Sequence, residues 1–222
     1  ERSGFRVGEA MLNQLIIAVL LALFSVAMGC ASSGPRSPVK GTFAIAIHGG
    51  AGVLSKTAPP NEVAAYELSL AKALTVGRDM LATGGTALDT VEAVVRTLEN
   101  DPNFNAGKGA VFTAAGTHEL DASIMDGSKL ACGAVAGVKT VRNPISLARM
   151  VMEKTRHVLL ASDGAEKFAD EMKVERVPNS YFDTEKRTKS LEEWKKENGV
   201  AMNDTKPPYT YGTVGCVALD TH

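Results

Sequence analysis

The chain has 222 residues, of which 45% are hydrophobic and 22% are charged, and its formal net charge is −1. This length suits one large domain, and the near-neutral charge gives no electrostatic reason to expect a nucleic-acid partner. The three cysteines, Cys30, Cys132 and Cys216, form no CxxC pair. This excludes a cysteine-based zinc site or a disulfide framework as the organising principle.

Residues 15–27 form an apolar run, LIIAVLLALFSVA, which is too short to span a bilayer comfortably and has the length of a signal-peptide core. It leads into Ala-Met-Gly-Cys, which resembles a bacterial lipobox with Cys30 as the lipidated residue, and residues 31–41 predict a flexible tether. We therefore expect an exported protein, either periplasmic or membrane-anchored through Cys30. The alternatives are a plain cleaved signal peptide, or a cytoplasmic protein whose leader is an artefact of translation from upstream of Met11.

The first predicted elements are a strand and two helices. Residues 42–47 predict a buried strand that ends in the glycine turn His-Gly-Gly-Ala-Gly at 48–52. A proline pair begins a helix over residues 60–82, and a capping-box pattern begins a second helix over residues 86–98. The apolar positions of the first helix recur at helical spacing: Val63, Tyr66, Leu70, Leu74 and Leu81.

Short segments separated by turns follow. In chain order they are strands at 110–113, 119–125 and 131–138, a helix at 144–154, a strand at 158–161, a helix from 165 and a charged helix at 184–198. Residues 199–212 contain two prolines and predict a mobile linker. Paired helices around consecutive, hairpin-connected strands predict an α+β fold with a largely antiparallel sheet.

Most candidate chemical residues favour a structural interpretation. The glycine turn at 48–52 is separated from the next helix by two prolines, so a close-packed turn is favoured over a phosphate loop. Asp121 and Asp126 are expected in turns or interfaces, and Cys132 and Cys216 are expected to be buried and inert. The histidines have no carboxylate or cysteine at ligand spacing, so we expect no catalytic metal: His48, His118, His157 and His222.

Two positions favour function. Asn105 lies in a polar, glycine-punctuated loop at residues 103–109 and can present an amide to a neighbouring site. Thr213 follows Gly212 at the start of an apolar, strand-like segment. If the chain is cut between these two residues, Thr213 gains an α-amino group, whose pKa of about 7.7–8.0 suits a general base for its own hydroxyl.

Seven blocks occur in order through the mature part. They are IAIHGGAG at 45–52, FNAGKGAVFT at 104–113, THELDASIMDG at 117–127, GAVAG at 133–137, RNP at 142–144, GA at 164–165 and GTVG at 212–215. Together they resemble the N-terminal half of the plant-type asparaginase/isoaspartyl peptidase family of N-terminal-nucleophile hydrolases. The resemblance covers nearly all of residues 43–220.

The resemblance implies a four-layer αββα sandwich, made as a precursor that cuts itself between Gly212 and Thr213. After the leader over 1–30 and the tether over 31–41 that the residue pattern predicts, it implies the α-subunit part over 42–198, a linker over 199–212 and the start of the β subunit over 213–222. Thr213 would be the nucleophile that hydrolyses L-asparagine or β-aspartyl dipeptides, and Asn105 would lie beside the scissile bond.

The resemblance also implies partners. They are a small-molecule or dipeptide substrate and the chain's own β subunit in an (αβ)2 heterotetramer, with no nucleic acid. No cofactor is implied apart from a structural sodium ion. Its ligands would be the backbone carbonyls of Leu98, Glu99, Asp101, Phe104, Ala106 and Lys108.

The family's substrate-binding residues match positions after residue 222, so the chain as given is expected not to turn over substrate. Glycosylasparaginases usually carry Asp-Thr at the cleavage point, whereas this chain has Gly212-Thr213, which favours an asparaginase or isoaspartyl peptidase. A non-catalytic anchored protein on a degenerate scaffold is the remaining alternative.

Overall fold

The computed structural model describes residues 42–50, 57–198 and 214–222. These residues form both helices and strands, which alternate irregularly along the chain. In chain order the elements are β1 (Ala44–His48), α1 (Pro60–Ala82), α2 (Ala87–Glu99), β2 (Leu120–Asp126), β3 (Ala131–Val138), α3 (Pro144–Lys154), β4 (Leu159–Ala161), α4 (Ser162–Glu171), α5 (Glu185–Asn198) and β5 (Gly215–Leu219). Short 3₁₀ helices lie at Gly107–Gly109 and Asn179–Phe182.

Three of the helices begin where the sequence predicts. Pro60 and Pro144 lie in the first turns of α1 and α3, where a helix has no backbone acceptor for an N–H group. The Thr86 hydroxyl accepts a hydrogen bond from the Asp89 N–H at 3.1 Å and so caps α2. The predicted helices at 60–82 and 144–154 are therefore confirmed.

Helix α1 buries a stripe of mostly small residues that lies beside the predicted apolar face and shares Leu81 with it, while Tyr66 and Leu70 of that face are partly buried. Leu74 of that face is 40% exposed. A Cβ at Gly77 would collide with Ile45 and would lie 2.8 Å from Cγ2 of Val94, so α1 packs very closely on β1 and α2. The buried residues of α1 are Ser69, Ala73, Gly77 and Leu81.

The described strands form two sheets. In the first, β1 pairs antiparallel with β5, so that Ala44 lies opposite Leu219 and His48 lies opposite Gly215. In the second, β3 is central and pairs antiparallel with β2 and parallel with β4. Helices α1 and α2 contact the first sheet, and α3 and α4 contact the second. The sheets are thus largely antiparallel, as predicted. The exception is β4, which is parallel to β3, and helix α3 provides the crossover connection that two parallel strands need.

Residues 110–113 form no strand, and that prediction is wrong. The Val111 N–H donates to the Asn105 side chain at 2.8 Å, and the Thr113 N–H donates to the Thr117 carbonyl at 2.7 Å. The backbone donors of this segment therefore bond to a side chain and to a local turn instead of a neighbouring strand. Helix α4 also begins earlier than predicted, at Ser162 directly after β4.

The buried apolar residues form two clusters. The larger cluster lies between β2 and β3 on one side and α3 and α4 on the other. The smaller cluster consists of Ala73, Val94, Leu98 and Phe104, and residues of β1 and β5 pack against it. Leu98 lies in the last turn of α2 and Phe104 lies within the loop that follows, so the smaller cluster holds the first part of that loop.

Across the described ranges, no helix combines the length and the hydrophobicity that a bilayer crossing requires. The apolar run at 15–27, Cys30 and the predicted linker at 199–212 lie outside the described residues.

Candidate active site

Three segments meet at the beginning of β5. The register with β1 places His48 opposite Gly215, so residues 48–50, the described start of the glycine turn, lie beside the beginning of β5. A Cβ at Gly49 would lie 3.0 Å from the Phe104 ring, so this turn packs on the loop after α2. The close packing around Gly49 agrees with the close-packed turn that the sequence favours over a phosphate loop. Val214 packs against the smaller apolar cluster.

The side chain of Asn105 is oriented by the backbone of its own loop. Its Oδ1 accepts a hydrogen bond from the Val111 N–H at 2.8 Å. The preceding residue, Phe104, is 1% exposed and packs edge-on against Tyr66, with ring centroids 5.9 Å apart. Asn103 Nδ2 donates to the Ser69 hydroxyl at 3.0 Å, which ties the same loop to α1. The two residues before Asn105 therefore both anchor its loop to α1.

A cavity of about 990 Å³ lies between the two sheets. Its walls include Asn105, Val214 and Gly215 together with residues of β2 and β3. Gly212 and Thr213 lie outside the described residues. The structure therefore brings Asn105 and the residue after Thr213 to one cavity, and it does not describe Thr213 itself.

Glu99 ends α2 and is buried at the wall of this cavity. Its carboxylate accepts hydrogen bonds from Asn143 Nδ2 and from the Ile145 N–H, both at 3.0 Å. Burial raises the pKa of Glu99 to about 8. The sequence indicated a role only for the backbone carbonyl of this residue, whereas its side chain joins the end of α2 to the first turn of α3.

The loop after α2 brings several carbonyl oxygens close to its glycines. A Cβ at Gly109 would collide with the Phe104 carbonyl and would lie 2.6 Å from the Pro102 oxygen. A Cβ at Gly107 would likewise collide with the Glu99 carbonyl. Hard cations take oxygen ligands, and Glu99 and Phe104, whose carbonyls lie beside these glycines, both belong to the expected sodium set. The carbonyls of Leu98 and Ala106 accept backbone hydrogen bonds within the loop.

His118 is a residue of this region that the sequence did not single out. It is completely buried, and its two ring nitrogens contact the Val111 carbonyl at 3.2 Å and Asp183 Oδ1 at 3.0 Å. Asp183 lies far along the chain, so no local spacing indicated this pair. In the described part of the chain, no three His, Cys, Asp or Glu side chains gather as metal ligands.

The other histidines make contacts separate from those of His118. His48 Nδ1 accepts from the Gly50 N–H at 3.3 Å, His222 Nε2 lies 3.1 Å from the Gly84 carbonyl, and His157 is exposed.

The two aspartates of β2 have the structural roles that the sequence predicts. Asp121 accepts from the Gly137 N–H at 2.8 Å, and Asp126 accepts from the Ser128 N–H at 3.0 Å. Cys216 is half-buried, and burial raises the pKa of its thiol to about 11. A thiol with so high a pKa is protonated at neutral pH and is a poor nucleophile, which agrees with the inert role expected for it.

Comparison with known proteins agrees with the sequence blocks. Residues 41–222 match the protein family described as Asparaginase. The chain is 46% identical over 186 residues to an isoaspartyl peptidase/L-asparaginase of Rattus norvegicus, covering 84% of this chain and 54% of that protein. It is 45% identical over 181 residues to a probable isoaspartyl peptidase/L-asparaginase 2 of Arabidopsis thaliana, covering 82% and 55%.

An isoaspartyl peptidase of Escherichia coli (strain K12) is 45% identical over 185 residues, which cover 81% of this chain and 58% of that protein. The chain thus spans little more than half the length of the curated relatives it matches. The family match runs from the residues just before β1 to the residues after β5, and the identities extend over 81–84% of the chain. The chain belongs to the asparaginase family.

Proposed function

We propose that the full-length protein is a self-processing amidohydrolase that releases aspartate from L-asparagine and β-aspartyl dipeptides. The observation that carries this proposal is the match of residues 41–222 to the asparaginase family, together with relatives named isoaspartyl peptidase/L-asparaginase. The convergence of Asn105 and Val214 on one cavity supports it, because a nucleophile at Thr213 would lie next to that cavity.

The first step would be self-cleavage. The Thr213 hydroxyl attacks the Gly212 carbonyl, the C–N bond breaks as its nitrogen gains a proton, and an ester links Gly212 to Oγ. Water then hydrolyses the ester and leaves a carboxylate on Gly212 and a free amine on Thr213. Gly212 suits this step because glycine tolerates the strained backbone that such an attack requires.

Turnover would use the same hydroxyl. The free α-amine of Thr213 takes the hydroxyl proton, and Oγ attacks the side-chain amide of asparagine or the β-aspartyl peptide carbonyl. Ammonia or an amino acid leaves, and water releases aspartate from the acyl-enzyme. Asn105, whose Oδ1 is already bound to Val111, would present its Nδ2 hydrogens beside the scissile bond.

We propose that the two sheets are the inner layers of a four-layer αββα sandwich. The helices that contact each sheet and the cavity between the sheets support this arrangement. The strand β5 would then belong to the β subunit and remain paired with β1 of the α subunit, and two such αβ units would form the (αβ)2 assembly.

We propose that the loop after α2 holds a structural sodium ion through backbone carbonyls. The crowding of the Glu99 and Phe104 oxygens beside Gly107 and Gly109 supports this. The ion would supply positive charge among these oxygens and keep the Asn105 loop in one conformation, with no part in bond breaking.

The decisive experiment compares full-length wild-type protein with Thr213→Ala. Mass spectrometry of the wild type should find a new N-terminus at Thr213, and Thr213→Ala should remain a single uncut chain without amidase activity. Thr210→Ala removes a neighbouring threonine hydroxyl from the same stretch and should be cut like the wild type. A wild-type precursor that stays intact while it hydrolyses asparagine would contradict the mechanism.

Substrate class is tested on the same processed protein. Release of aspartate should be seen with L-asparagine or a β-aspartyl dipeptide and not with N-acetylglucosaminyl-asparagine. Activity confined to the sugar-linked substrate would instead indicate a glycosylasparaginase.

A further inference from the structure

The orientation of Asn105 depends on Val111. The Val111 N–H donates to Asn105 Oδ1 at 2.8 Å, and this bond sets which edge of the carboxamide points away from the loop. Val111 lies outside any helix or strand, so no ladder of backbone hydrogen bonds holds it in place. Its position must therefore be fixed by other contacts.

His118 holds the other side of Val111. The His118 Nδ1 lies 3.2 Å from the Val111 carbonyl, and its Nε2 lies 3.0 Å from Asp183 Oδ1. The Val111 carbonyl can only accept, so the hydrogen bond to it requires a hydrogen on Nδ1 of His118. The imidazole thus connects the segment that orients Asn105 to a residue far along the chain.

His118 itself has little freedom to move. Its ring is completely buried, with its centroid 4.1 Å from that of Phe112 and 6.0 Å from that of Phe182. Its backbone N–H donates to Asn179 Oδ1 and its carbonyl accepts from Asn179 Nδ2, both at 2.9 Å. A side chain fixed on this many sides is a rigid support for the loop.

We propose that His118 is a positioning residue for the reaction, which acts on Asn105 through the Nδ1–H···O=C bond to Val111. The proposal rests on the proposed function, because it assigns His118 a role in the site that Asn105 and Thr213 form. It makes the bond to Val111, rather than the bond to Asp183, the one that matters for rate.

Two substitutions in the full-length protein separate these bonds. The amide nitrogen of asparagine occupies the place of histidine Nδ1, so His118→Asn keeps a donor toward Val111. The longer glutamine places its amide nitrogen near Nε2, so His118→Gln keeps a donor toward Asp183. We expect His118→Gln to lower kcat and the rate of self-cleavage by about 10²-fold with little change in KM, because a misplacement of about 1 Å has effects of that size.

We expect His118→Asn to be about tenfold or more faster than His118→Gln in both reactions. Each variant keeps a donor toward only one of the two partners, Val111 or Asp183. If His118 had a purely structural role, the two variants would have equal activities whenever their midpoints of thermal unfolding were equal. That result would overturn the proposal. His157→Gln, at an exposed histidine, is the matched control and should behave as the wild type.

A measurement on wild-type protein covers the case in which the His118 variants do not fold. NMR of protein labelled with ¹⁵N-histidine reports which ring nitrogens carry hydrogen. A hydrogen on Nδ1 of His118 is expected, and its absence would overturn the proposal. A wild type that neither cuts itself nor hydrolyses asparagine would refute the proposed function instead, while this NMR result still decides the contact with Val111.

Discussion

At the scale of single residues, the candidate site depends on two glycines that admit carbonyl oxygens. Gly107 has a positive φ of 49°, and a Cβ there would collide with the Glu99 carbonyl. A Cβ at Gly109 would collide with the Phe104 carbonyl. The loop that carries Asn105 can therefore close only if both positions lack a side chain.

We predict that Gly109→Ala destabilises the full-length protein by about 2 kcal/mol or more, because overpacking forces the backbone apart. Urea unfolding measures this loss.

Sodium chloride should stabilise the wild type relative to choline chloride at equal ionic strength, since a ligand that binds only the folded state adds to stability. Gly109→Ala should lose much of that gain, because it displaces the Phe104 carbonyl.

Gly127→Ala is the control, because a Cβ there meets nothing within 4 Å. It should change stability by no more than about 0.5 kcal/mol and should keep the sodium effect. If Gly109→Ala is as stable as Gly127→Ala, the packing of this loop is not what the structure indicates. If sodium and choline act alike on the wild type, the sodium proposal is wrong.

The sequence predicted part of the candidate site and missed the rest for a physical reason. Asn105 could be singled out because a polar, glycine-rich loop is visible in a local window. His118 could not, because its partner Asp183 comes close only through tertiary folding, and in sequence His118 is one isolated histidine. The catalytic roles of Thr213 and Asn105 stay predictions.

At the scale of elements, Glu166 on α4 joins that helix to the end of β3. Its carboxylate accepts hydrogen bonds from the Lys139 and Thr140 N–H groups and from the Thr140 hydroxyl, and it pairs with Arg176. Burial alone would raise the pKa of Glu166, but the hydrogen bonds from Thr140 and Lys139 and the charge of Arg176 outweigh it. The pKa of this carboxyl therefore lies below its usual value.

We predict that Glu166→Gln destabilises the protein by about 2 kcal/mol at pH 7, since it weakens several hydrogen bonds to a charged group. Because the pKa of Glu166 is lower in the folded state than in the unfolded state, its charge stabilises the folded protein. This stabilisation is fully present above the unfolded pKa of 4.5 and is lost as the pH falls through the lower folded pKa. The difference between wild type and variant should therefore shrink below about pH 4.5.

Urea unfolding at pH 7 and at acid pH measures this difference, with Glu171→Gln as control. Glu171 lies exposed on the same helix and should change stability by no more than about 0.5 kcal/mol at either pH. An equally large loss for Glu166→Gln at pH 7 and in acid would show that its charge does not contribute.

The elements themselves were predictable where local chemistry decides them. Proline and a capping threonine mark the starts of α1, α2 and α3 in any window of the sequence. The segment at 110–113 was mistaken for a strand because its alternative partners, the Asn105 side chain and the Thr117 carbonyl, become visible only in three dimensions. The parallel pairing of β4 with β3 was likewise invisible, because it joins residues that a whole helix separates.

At the scale of the whole molecule, β5 is bound to elements from the opposite end of the chain. It pairs with β1 over five positions, and Asp220 accepts a hydrogen bond from the Ala87 N–H at 2.6 Å. Cys216 packs against the smaller apolar cluster. None of these contacts requires a continuous chain between α5 and β5.

We predict that the two pieces of the processed protein remain together after cleavage before Thr213. They should co-elute in gel filtration and separate only on denaturing electrophoresis, whereas Thr213→Ala should give one band in both. Separate elution of the pieces in buffer without denaturant would mean that the pairing of β1 with β5 does not hold the product together.

The pairing of β1 with β5 has a further consequence for the spacing of the chain. A strand pair joined by a tight turn takes its register from that turn, whereas here the register comes from the paired residues and from Asp220 at the far end. Because Thr213 comes two residues before β5 in the sequence, we expect β5, and not α5, to set its position. We therefore predict that the length of residues 199–210 can vary, and that an affinity tag or a recognition sequence inserted there does not stop self-cleavage before Thr213.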